Sequence, residues 1–243
     1  MIILIALACT IASVTIRRAT FSCRWEQAST MAVCFLGMGL ALTGTPLPKG
    51  IVYVLNWGFV SESQEGFLRA MGHGCLLLAA ASIGIAAASR IEGVNRATIA
   101  KWVLLPLATS LAVMGISVIS GQFLMPDLWL GWRTTYLCFY SLGLIYLLGY
   151  AILALMVLAE DPRQKKTALI YAGACGAGLV AQAGQWLVSW TVPIDSQDIW
   201  VAGFQICILL WIAGFAAGAA HSWRAKMRPF RALRKGLQAS NNG

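Results

Sequence analysis

Charged side chains are scarce in this chain. Asp, Glu, Lys and Arg make up only 11% of its 243 residues, roughly half of what a soluble domain carries. No Asp, Glu or Lys falls deep inside the long apolar runs, and Arg occurs only at their edges. Intramembrane charges mark ion routes, proton relays and gates, so their absence counts against an ion pump or a proton-coupled antiporter. The last apolar run has no lysine, which removes the residue that could form a retinal Schiff base.

Histidine is limited to two residues, His73 and His221, near opposite ends of their respective runs. They cannot jointly clamp one haem. A metal site needs three or four convergent ligands, and the chain contains no HExxH, no CxxC, no CxxCH and no carboxylate pair within an apolar run. No cofactor and no metal are expected.

What the chain has in quantity is apolar sequence. Hydrophobic residues make up 59% and the mean hydropathy is +0.73. They are blocked into runs of the length that crosses hydrocarbon, roughly 20 residues. The expected fold is therefore all-α, a polytopic transmembrane bundle of seven spans at about 2–16, 28–45, 68–88, 102–121, 134–158, 167–189 and 199–220. Residues 1–221 form this bundle, and residues 222–243 form a separate basic tail.

Orientation follows from the basic residues. Arg17, Arg18 and Arg24 follow the first run; Arg90, Arg96 and Lys101 follow the third; Arg163, Lys165 and Lys166 follow the fifth. The tail adds Arg224, Lys226, Arg228, Arg231, Arg234 and Lys235, leaving only Lys49, Arg69 and Arg133 for the other side. Lysine and arginine accumulate in cytoplasmic loops, so the N-terminus is expected outside and the C-terminus in the cytoplasm. The net charge of +9 is then a topology signal, with no need for nucleic acid as a partner. The expected location is a cell membrane, the plasma membrane of a prokaryote. The first run has its arginines after the apolar core, whereas a cleaved signal places positive charge before it; it is expected to stay as an anchor.

Tryptophan and cysteine agree with this layout. Trp57, Trp129, Trp132, Trp190 and Trp200 cluster near the expected outer boundary, and Trp25, Trp102 and Trp223 near the inner one, where indole rings favour headgroup depth. The 7 cysteines lie in spans or, for Cys23, in a cytoplasmic loop, away from the oxidising side where a disulfide would form. Small residues recur four apart at Ala80, Gly84 and Ala88, at Ala174 and Gly178, and at Gly214 and Gly218. Such ridges let helices approach closely in lipid and are expected to serve mainly packing within the chain, with self-association as the alternative.

Three groups of polar residues could carry function. Glu62, Glu65, Arg69 and His73 share one helical face, with Glu65 and Arg69 spaced for an ion pair at the outer surface and His73 about one turn inside. Gln182, Gln185 and Gln205, with His73 and Tyr136, have depths that suit a small outward-facing polar pocket. The alternative for these residues is hydrogen bonding between helices. In the tail, Trp223, Met227, Phe230, Leu233 and Leu237 repeat at helical spacing, while Arg224, Arg228, Arg231 and Arg234 fill the remaining arc. That pattern suits a helix lying on anionic lipid, or docking a cytoplasmic partner.

These readings favour a non-catalytic integral membrane protein, an accessory, scaffold or signalling component with lipid and a membrane-protein partner as its contacts. A permease or channel for a small uncharged solute is the rival. An enzyme working through His73 ranks third, because nothing supplies that histidine with a nucleophile or a second acid.

Overall fold

The computed structural model describes residues 8, 10–15, 24–44, 62–121, 129–191, 203, 204 and 206–222. Among these residues there are helices and short turns but no strand. Helix α1 is Arg24–Gly44, α2 is Glu62–Ala88, and α3 is Arg96–Ile119. They are followed by α4 (Trp129–Leu158), α5 (Lys165–Thr191) and α6 (Ile206–Ser222).

Four segments are long and apolar enough to cross a membrane: Phe67–Ala88, Arg96–Ile119, Gly131–Leu158 and Lys165–Val188. They coincide with the third to sixth expected spans and begin one to six residues before each of them, because a helix can start in the polar collar ahead of the apolar run. The apolar parts of α1 and α6, Gln27–Thr43 and Ile206–Ser222, are shorter. Of the first expected span, residues 8 and 10–15 are described, as helix.

Helices α2 and α4 each pack against three others. Helix α2 packs along α1 on one side and along α4 on another, and α3 lies against α4 and α2. The α2 alanines Ala79, Ala80, Ala81, Ala87 and Ala88 are all buried. Small side chains bring the helix axes close, which is how van der Waals packing replaces the missing hydrophobic drive in lipid. At Gly84 an added Cβ would meet Tyr150 at 3.4 Å. The completely enclosed Leu36, Leu77, Leu144, Leu147 and Leu148 fill the space between α1, α2 and α4.

Glycines also set the seam between α5 and α6. Gly178 lies against the Trp211 indole, Gly214 against Ala174, and Gly218 against the Tyr171 ring. Phe215 is wholly buried and meets Tyr171 and Trp211 edge-on, with centroids 5.5 and 6.2 Å apart. The recurring small residues at 174, 178, 214 and 218 thus serve packing within the chain.

Helix α3 starts with a defect that its sequence explains. Pro106 has no N–H, so the carbonyl of Trp102 has no partner at i+4. The backbone widens to a π-turn over Ala100–Leu104, and the Tyr146 hydroxyl of α4 donates to the Trp102 carbonyl at 3.0 Å. A proline in a spanning helix is tolerated where a neighbour satisfies the freed backbone group in this way.

The turns at this end are capped by side chains. Gly93 takes a left-handed φ of 85° in the turn after α2, and Asn95 Oδ1 accepts from the Thr98 N–H at 2.8 Å and the Thr98 hydroxyl at 3.0 Å. Replacing Asn95 with alanine should cost about 1 kcal/mol, read as a lower denaturation midpoint in detergent. Before α5, Asp161 accepts from the Arg163 N–H at 2.9 Å and from Gln164 Nε2 at 3.1 Å. These two bonds, the backbone one first, hold its carboxyl below the ordinary carboxylate range. Its stabilising contribution is present above the unfolded-state value and fades as pH falls through the lowered folded-state value.

Candidate functional site

The polar side chains noted in the sequence separate into three places. The first joins α2 to α4. Tyr136 and Tyr140 are four apart and therefore share a face of α4, and His73 of α2 inserts against both. His73 Nδ1 and the Tyr136 hydroxyl share a hydrogen bond. The imidazole also stacks on the Tyr140 ring, with centroids 4.1 Å apart and planes inclined at 25°. Tyr140 is buried, whereas His73 and Tyr136 are half-buried. Tyr140 is not among the residues expected from sequence, and its four-residue spacing from Tyr136 is the signal that points to it.

Arg69 lies one turn before His73 on α2 and is exposed. Glu62 and Glu65 are helical residues of α2, but their side chains, and with them the Glu65–Arg69 ion pair, lie outside the described positions. The contacts of the His73 cluster are one hydrogen bond to Tyr136 and a ring stack on Tyr140. Among the described residues no group of three or more His, Cys, Asp or Glu could hold a metal, and Cys34, Cys75, Cys138, Cys175 and Cys207 are free thiols.

The second place joins α4 to α5. Gln182 is buried, and its Nε2 donates to Ser141 Oγ at 3.0 Å. Gln185, three residues later, is exposed. The expected pocket residues are thus found in different seams: His73 with Tyr136 between α2 and α4, and Gln182 with Ser141 between α4 and α5. Gln205 lies outside the described residues. Ser141 is adjacent in sequence to Tyr140, so the two residues point one to each neighbour of α4. Nothing in a single-helix pattern identifies that split.

The third place is the end where α5 begins and α6 ends. There the Thr167 hydroxyl and His221 Nδ1 lie 3.0 Å apart in a hydrogen bond. Ser117 of α3 differs from these pairs: it is 1% exposed, and its hydroxyl has no hydrogen-bond partner.

A cleft of about 400 Å³ opens between α1 and α2, lined by Gln27, Ala28, Met31, Phe35, Ser82 and Ile85. It is mainly apolar, and none of His73, Tyr136, Gln182 or Gln185 borders it. The amphipathic stripe and bases of the tail, Trp223, Arg224, Met227, Arg228, Phe230, Arg231, Leu233 and Arg234, lie outside the described residues. Comparison with protein-family models, with curated proteins and with solved structures finds no match to this chain.

Proposed function

We propose that this chain is a non-catalytic integral membrane protein acting as an accessory, scaffold or signalling component. In this reading it crosses a cell membrane seven times, with the N-terminus outside and the tail on the cytoplasmic leaflet. The observation that supports it most is the use made of interior polar groups. His73, Gln182 and His221 are each engaged with a residue of another helix, Tyr136, Ser141 and Thr167 respectively. A polar group tied to a neighbouring helix has part of its hydrogen-bonding capacity taken up by that tie, which supports a packing role for it. Buried polar residues fix which helices meet, and a fixed framework is what a scaffold requires. The stripe and bases of residues 223–234 would add attachment to anionic lipid or to a partner.

A stoichiometric partner recovered from gentle detergent supports this role. Solute-specific uptake would favour the permease instead, and Gln182→Leu separates the two readings. As a helix tie, Gln182 should lose about 0.6–2 kcal/mol of stability on this change, with no solute-specific effect. If it lines a route, uptake should fall while the melting temperature holds.

Topology has its own test. Single cysteines at positions 95 and 240, introduced into a cysteine-free chain, should resist an impermeant thiol reagent until the cells are opened. Labelling of position 240 in intact cells would overturn the orientation.

A further inference from the structure

At the end of the bundle where α3 begins, Arg96, Lys101 and Trp102 are all exposed. The Lys101 ammonium sits over the Trp102 ring, 5.3 Å from its centroid. Trp102 is held from its backbone, because Tyr146 of α4 donates to the carbonyl that Pro106 leaves without a partner. That bond fixes the two helices against one another at the level of the exposed indole. Leu105, about one turn along α3 from Trp102, and Leu142, one turn along α4 from Tyr146, are 62% and 55% exposed, and Tyr146 itself 38%. The adjoining turn carries Arg90 and Glu92, whose charges offset each other, so Arg96 and Lys101 leave this corner positive. Cations, an aromatic ring and then aliphatic surface follow one another along the seam.

We infer that the α3/α4 seam holds one anionic phospholipid, its phosphate met by Arg96 and Lys101 and an acyl chain laid over Trp102, Leu105, Tyr146 and Leu142. The charge selects an anionic headgroup, and the aliphatic surface continuing from it selects a lipid over a soluble phosphoester. Indole and tyrosine rings suit this depth, where one end of the contact is wet and the other is in hydrocarbon. The inference needs only that this end of α3 lies at a membrane surface. It is independent of which side that is, and of the role proposed above.

The test is native mass spectrometry of the full-length protein in mild detergent, titrated with phosphatidylglycerol, phosphatidylcholine or glycerol phosphate. The wild type should retain phosphatidylglycerol in preference to phosphatidylcholine. An R96Q/K101Q variant should keep one lipid fewer, with roughly thirtyfold weaker retention at the strength that surface bases carry against anionic lipid. An R163Q/K166Q variant removes the same charge from around the start of α5 and should keep that lipid. Y146F retains every charge but releases the Trp102 carbonyl, and should weaken retention severalfold. Equal losses in the two double variants would reduce the effect to net charge and overturn the site. So would equal retention of phosphatidylcholine by the wild type, or displacement of the lipid by equimolar glycerol phosphate.

Discussion

Gly72→Ala should destabilise the folded chain by about 1–3 kcal/mol, the cost of overpacking a filled interior. A Cβ at position 72 would stand 2.7 Å from Thr43 Cγ2, 2.8 Å from Leu42 Cβ and 3.1 Å from the Gly39 carbonyl oxygen. The crossing is reciprocal, since a Cβ on Gly39 would come within 2.9 Å of the Gly72 carbonyl oxygen. Thr43 Cγ2 could rotate aside, but Leu42 Cβ and the Gly39 carbonyl oxygen are fixed by the backbone, so a rotamer change cannot make room. The helices must separate, and α1 loses its fit along α2. Gly149 of α4 provides the control, because nothing lies within 4 Å of a Cβ added there. Gly149→Ala should be neutral or stabilising, by up to ~1 kcal/mol from helix propensity. Thermal denaturation of both variants in one detergent decides the matter. Equal midpoints would mean that α1 and α2 do not cross at this pair of glycines.

That crossing illustrates what the sequence did and did not make legible. Long apolar runs identify the spanning segments because hydrocarbon thickness sets their length, and the four long helices follow from them directly. Which helix meets which does not follow. In a membrane the lipid is as apolar as the core, so a spanning helix has little contrast between its buried and exposed faces. Leu153 is 69% exposed and Leu148 wholly buried, on the same helix and of the same residue type. Gly39 and Gly72 therefore read as two unrelated glycines until the helices are placed side by side. Pro106 was visible, but the hydroxyl that answers it comes from Tyr146, on another helix.

The same limit explains the polar residues. Depth along a span can be read from residue number, and depth alone puts His73, Tyr136 and Gln182 in one outer layer. Rotation about each helix axis then decides their partners. It turns Tyr136 and Tyr140 toward α2 and Ser141 toward α5, so one layer holds two separate ties. Gln185, three residues from Gln182, is turned outward and exposed. A proposed pocket built from depth alone has no means of seeing this division.

His73→Ala should lower stability by about 2–4 kcal/mol, because it removes a hydrogen bond, a stacked ring and the volume that ring fills. The imidazole touches Tyr136 through its Nδ1 and Tyr140 through its face, so the two losses can be measured separately. Tyr136→Phe keeps the ring and deletes the hydroxyl, and should cost ~1 kcal/mol. Tyr140→Leu keeps an apolar side chain in place of the ring and should forfeit the stacking, ~1 kcal/mol. The double variant His73→Ala/Tyr136→Phe should be less damaging than the sum of its parts, by a coupling of about 0.6–2 kcal/mol. Strict additivity would show that His73 and Tyr136 do not interact in the folded chain. The cycle also bears on function. If the pair holds α2 to α4 in a scaffold, retention of a bound partner should fall in step with stability across all four variants. A variant that loses activity on a solute while keeping wild-type stability would instead place His73 in a working site, and the scaffold reading would have to be given up.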